Sequence, residues 1–140
     1  LFFLALLTAW VRLQTSLRAG RLTQLYSVVG GNTRDQFTYG LDKGDNRLYK
    51  KNMLAGAKDE LYAIDTLNRL TSFDRGDLNA NKDGLTGAAV KYQDWTLDKV
   101  GNWPYFYDNS ATAQTRLFNA ANEITGRRRP YVNRTELGET

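Results

Sequence analysis

The stretch Tyr62-Ala63-Ile64-Asp65-Thr66-Leu67-Asn68-Arg69-Leu70 decides the fold of this chain. Tyr62 and Ile64 stand two apart, the spacing of one face of an extended strand. Asp65 follows, and its carboxylate can accept hydrogen bonds from the N–H groups just ahead of it, closing an Asx-type turn. Asn68 tolerates the left-handed conformation that ends such a loop. Leu70 opens the returning strand. The segment reads as one β-hairpin.

The same grammar recurs. An earlier copy runs Tyr39-Gly40-Leu41-Asp42 to Asn46 and Leu48, and a later one runs Trp95-Thr96-Leu97-Asp98 to Gly101, Asn102 and Trp103. A weaker copy runs Arg116-Leu117-Phe118-Asn119 to Asn122 and Ile124. The residue before the turn is always apolar: Leu41, Ile64, Leu97 and Phe118. Two positions further back stand Tyr39, Tyr62 and Trp95, with Arg116 breaking the pattern. After the turn Leu48, Leu70 and Ile124 match, while the third copy has Pro104. The expected turn residues are therefore Asp42, Asn46, Asp65, Asn68, Asp98, Gly101, Asn102, Asn119 and Asn122. The later Asn of each copy, or Gly101 before Asn102, is assigned the left-handed position. Tyr39, Leu41, Leu48, Tyr62, Ile64, Leu70, Trp95, Leu97, Phe118 and Ile124 are expected to form a buried repeat core.

Asp42, Asp65, Asp98 and Asn119 are separated by 23, 33 and 21 residues. Two intervals suit a hairpin plus a connection. The long one holds a Gly-, Asn- and Asp-rich insertion, 74–87, expected on a surface loop. A lone hairpin is marginal in water, so successive hairpins must share one sheet, whose two ends leave unpaired edges. The expected fold is all-β: tandem antiparallel β-hairpins in a curved sheet over 34–126. Residues 1–33 match poorly and read as an irregular or partly helical segment. Residues 127–140 read as a basic, flexible tail.

Composition agrees with strands. Eight Tyr, six Phe and three Trp stand against one Met, a bias toward strand formers. The net charge of +4 is mild and mostly scattered, which argues against a nucleic-acid surface. Only Arg127-Arg128-Arg129 is a basic run, and it reads as solvated. Without cysteine there are no disulfides or thiolate metal sites. Without histidine the commonest general base, metal ligand and nucleophile partner are gone, so a catalytic role is not expected. The apolar run from Leu1 to Val11 is too short to cross a bilayer and lacks the flanks of a signal peptide; the chain reads as an excerpt.

Phe37-Thr38-Tyr39, Ala63-Ile64-Asp65-Thr66-Leu67-Asn68-Arg69-Leu70 and Trp95-Thr96-Leu97-Asp98-Lys99-Val100-Gly101-Asn102 resemble the tyrosine–aspartate repeats of bacterial RHS proteins. The resemblance covers about 34–126. It implies a hairpin ribbon spiralling into a hollow shell, as in RHS polymorphic toxins, where the shell encloses a C-terminal effector, or in teneurin-like adhesion proteins. It also implies a secreted or cell-surface location, and partners in the rest of a longer chain. Neither the family's self-cleavage motif nor a toxin domain is recognisable here.

The expected function is thus a non-catalytic scaffold without cofactor. The alternative is a carbohydrate-binding β-rich surface, for which Trp103 and Tyr105 are the candidate glycan contacts. Asn79-Ala80-Asn81-Lys82-Asp83-Gly84 resembles the start of an EF-hand calcium loop. Val90 stands where that loop wants a bidentate Glu, so a polar insertion is the better reading. Asn133-Arg134-Thr135 matches a glycosylation sequon, a frequent chance occurrence.

Overall fold

The computed structural model of the chain describes residues 11–18, 20–109 and 112–128. Among these, ten strands run β1 Val11–Arg18, β2 Arg21–Val29, β3 Asn32–Leu41, β4 Arg47–Asn52, β5 Asp59–Ile64, β6 Leu70–Gly76, β7 Lys91–Thr96, β8 Tyr105–Asp108, β9 Gln114–Phe118 and β10 Ile124–Arg128. They form a single open sheet in chain order, every neighbour antiparallel. The expected all-β class of tandem hairpins is the class observed.

An up-and-down order puts every odd-to-even connection at one end of the sheet and every even-to-odd connection at the other. The first end holds the turn at Gly20 and the turns over 42–46, 65–69, 98–102 and 119–123. The second holds Gly30-Gly31, the loops 53–58 and 77–90, and the connection from β8 to β9. Gly30 and Gly31 take φ of 56° and 80°, the left-handed pair that a two-residue hairpin loop requires.

Alternation along the strands separates two faces. One carries Phe37, Tyr39, Tyr62, Phe73, Trp95 and Phe106. Tyr62 lies opposite Phe73, with ring centroids 5.7 Å apart, and Trp95 lies opposite Phe106 at 5.5 Å. Such cross-strand pairs are the unit that stabilises a sheet. The other face carries the row Tyr49, Leu61, Asp74 and Tyr92, each opposite the next. There Gly40 lies opposite Tyr49, and a Cβ on Gly40 would sit 2.0 Å from a carbon of the Tyr49 ring. The missing side chain of Gly40 is what lets that ring cover the backbone of β3.

One layer of sheet cannot enclose a core, because each face needs a second layer to exclude water from it. Leu78 is the only hydrophobic residue among those described that is buried. This departs from the expected repeat core. Tyr39, Leu41, Tyr62, Ile64, Trp95, Leu97 and Phe118 are half-buried, while Leu48, Leu70 and Ile124 are exposed. The spacing placed the residues of each pair on a common face, but periodicity alone does not say whether anything covers it.

Three boundaries also differ. Residues 11–18 and 20–33 form strands and the turns at Gly20 and Gly30-Gly31 rather than an irregular or helical segment; residues 1–10 and 19 lie outside the described residues. The insertion loop spans 77–90, since Asp74, Arg75 and Gly76 continue β6. Arg127 and Arg128 belong to β10, where pairing with β9 gives them backbone partners; the remainder of the tail, with Arg129 and the sequon, is outside the described residues.

Candidate functional site

The four repeat turns share one geometry. In each, the first residue and the residue four further on pair across a three-residue loop. Asp42, Asp65, Asp98 and Asn119 donate their N–H to the carbonyls of Asn46, Arg69, Asn102 and Glu123 over 2.8–3.1 Å. The same residue's Oδ1 accepts from the N–H groups two and four positions on. Those donors are Gly44 at 2.8 Å and Asn46 at 2.9 Å, Leu67 and Arg69 at 2.9 Å, Val100 and Asn102 at 2.9 Å, and Ala121 and Glu123 at 3.0 Å. One side-chain oxygen thereby satisfies two loop amides that no strand could reach.

The left-handed residue is always the third after the Asp or Asn: Asp45, Asn68, Gly101 and Asn122, with φ of 67°, 60°, 95° and 62°. This is the three-residue loop with a bulge at its exit, and the register shifts beside Leu41, Ile64 and Ile124 are those bulges. Asn68, Gly101 and Asn122 hold the assigned position. Asn46 and Asn102 do not: they sit one residue later, and their side-chain amides donate to the second oxygen of Asp42 at 2.8 Å and Asp98 at 3.0 Å. In the second turn Arg69 does this through Nε at 2.7 Å, and in the fourth the polarity inverts, with Asn119 donating to Glu123 at 2.7 Å. Asp45 was not legible as the left-handed residue because Asn46, beside it, is the better intrinsic former.

These turns are joined along the sheet end. Arg21 donates to the Lys43 carbonyl at 3.0 Å and pairs with Asp45. Asn46 donates to the Asn68 side chain at 2.8 Å, Arg69 to the Asp98 carbonyl at 2.7 Å, and Asn102 to the Asn122 side chain at 3.0 Å. A continuous rail of side-chain bonds thus runs from β2 to the last hairpin. Asp42 is held below the ordinary carboxylate range by the Asn46 side chain above all, and Asp65 by the Arg69 N–H. For Asp98 leaving water is the largest influence and opposes ionisation, but the bonds from Asn102 and Val100 together outweigh it.

The opposite end is tied differently. Asp59, 1% exposed, accepts from the Asn52 N–H at 2.7 Å, Lys51 Nζ at 3.0 Å and the Leu78 N–H at 3.2 Å. One carboxylate therefore fastens the loop 53–58 to the insertion. Beside it Glu60 pairs with Lys50 at 3.0 Å and Arg75 at 2.7 Å and accepts from the Tyr62 hydroxyl. Burial pushes Glu60 toward neutrality, and these donors reverse that, leaving it below its usual value. A groove lined by Phe37, Lys50, Asn52, Lys58, Glu60 and Arg75 opens there. Neither acid stood out in the sequence, since each lies outside the repeated motif.

The insertion reuses the turn grammar. Asn79 Oδ1 accepts from the Asp83 N–H at 3.3 Å, its amide donates to Asp83 at 2.8 Å, and Lys82 takes φ of 62°. Asn79 and Asp83 thus face each other instead of converging on a cation. Among the described residues no three His, Cys, Asp or Glu side chains group as a metal would need. The two glycan candidates do not converge either. Trp103 packs edge-on against Phe106 at 5.4 Å, with the Arg116 guanidinium 3.0 Å from its ring centre. Tyr105, 46% exposed, alternates with Phe106 and lies on the other face. No described helix is long and apolar enough to cross a membrane, which says nothing of a β-barrel.

No protein-family model matches this chain, and no curated protein matches it.

Proposed function

We propose that this chain is a non-catalytic scaffold: a stretch of wall in a shell of the RHS, tyrosine–aspartate-repeat type, which encloses another polypeptide or presents a surface to one. The observation that carries this reading is a sheet of ten strands with one buried hydrophobic residue among those described, fastened by a rail of turns. Its order comes from neighbour-to-neighbour contacts along the chain, the economy of a repeat array, and not from a core. An aromatic face left half-exposed wants a covering layer, which an enclosed polypeptide supplies. The repeated turn supports the family reading because its left-handed residue recurs at the same offset in all four copies, and its Asp and linking side chain in three. Secretion or a cell-surface location is part of the same proposal.

The test is to lengthen the array. A second copy of residues 34–126 fused in frame to the chain should raise the urea midpoint followed by circular dichroism, because each added hairpin contributes a nearest-neighbour interface. A midpoint unchanged by the added copy would falsify the array reading.

A further inference from the structure

Arg116, in β9, is 8% exposed, and its Nε is buried without a hydrogen-bond partner. Among the described residues no carboxylate forms an ion pair with it. The residue opposite it in register is Arg127 of β10, a second cation, and exposed. Like charges facing each other across a ladder destabilise it, and a covered charge without a counter-ion is costlier still. Both influences weaken the protonated guanidinium of Arg116, loss of water first and Arg127 second. The Arg116 guanidinium lies over the Trp103 ring, which packs edge-on against Phe106, and Gln114 and Phe118 flank Arg116 two positions away on the same face of β9.

We propose that the Arg116–Arg127 pair is a seat for a carboxylate carried by a polypeptide segment that lies on the aromatic face. The two residues stand opposite each other in register, and a guanidinium fork matches the two oxygens of a carboxylate. The surroundings choose its carrier. Half-exposed aromatic rings beside the cations gain from covering by apolar side chains, which an acidic peptide with interspersed apolar residues provides and a bare inorganic anion does not. Arg116 breaks the aromatic pattern of its repeat position, where Tyr39, Tyr62 and Trp95 stand in the other copies. The seat goes beyond the scaffold reading, since it requires only this face of the sheet and not closure of the array into a shell.

Binding of a synthetic peptide of alternating Leu and Glu to the full chain, read by tryptophan emission, tests it against the same peptide with Gln for Glu. The Glu peptide should bind about tenfold more tightly, the factor a charge-assisted bond of about 1.4 kcal/mol confers. Arg127→Gln, at an exposed position, should shrink that preference to less than about threefold while the circular dichroism stays unchanged. Arg116→Lys, which keeps the charge but loses the fork, should weaken the Glu peptide as well. Equal binding of the two peptides, a preference that survives Arg127→Gln, or complete displacement by inorganic phosphate at equal concentration would each overturn the proposal. The tandem-fusion result does not bear on any of these outcomes.

Discussion

The two ends of the sheet solve the same problem by opposite means. At the turn end, each reversal is closed by a residue of its own loop, with partners two and four positions away. At the far end, Asp59 joins Lys51, Asn52 and Leu78, partners up to 19 residues away. Local closure can be copied, so a motif recurs. Closure at a distance depends on which loops meet, so it occurs once and leaves no pattern. The difference teaches where stability is shared among repeats and where it rests on one side chain.

Asp59→Ala should be the most damaging substitution that separates the two ends. It strands buried N–H groups and the Lys51 ammonium, at a cost of about 3 kcal/mol. Urea denaturation should show it, and amide exchange should rise first in residues 53–58 and 77–90. If exchange rose equally at the turn end, the two ends would not be independent.

Gly101→Val tests the turn end. With φ of 95°, position 101 accepts a β-branched residue only at a cost of about 2 kcal/mol, whereas Gly101→Asn should be nearly neutral. The ratio of the two midpoints checks it. Next comes Asn119→Ala, which removes the acceptor for the Ala121 and Glu123 amides and should cost about 1 kcal/mol, as a lost helix cap does. Whether the rail transmits anything is a question for a double-mutant cycle on Asn46 and Asn68. A coupling of about 0.5 kcal/mol is expected, and additivity within error would reduce the rail to coincidence.

Acid should produce the smallest effect, because the turn carboxylates stay in contact with water at the sheet end and their interactions are screened. Asp42, Asp65 and Asp98 have folded values below the unfolded 3.8, so their contribution is present above that value and fades as pH falls through the folded one. Asn119 does not titrate. Amide shifts of residues 44, 67 and 100 should therefore move between about pH 5 and about pH 2, while that of residue 121 holds still.

Much of the turn end was legible because its interactions span a few residues of one segment. Asp65 and Asn68 could be placed from their own chemistry. Asn46 was misassigned by one position, and of the two residues open in the third copy Gly101 rather than Asn102 takes the left-handed conformation: the residue type permits it, but the loop length decides which residue adopts it. Gly40 was part of the motif, yet nothing in the repeat said that a Tyr49 ring from the next strand lies over it. Arg116 looked like a defect in a weak copy. Only the register that sets it against Arg127 and over Trp103 makes it a feature.

By itself, the sequence determined the strand-and-turn alternation over 34–126, the place of each repeat reversal and the residues that share a face. These follow from local conformational preference and the two-residue period of a strand. Tertiary structure alone decided that the aromatic face stays half-exposed, that Asp59 fastens two loops, and that neighbouring turns are linked into a rail. Each of those depends on what lies across from a residue, and strand pairing, not chain order, sets that distance.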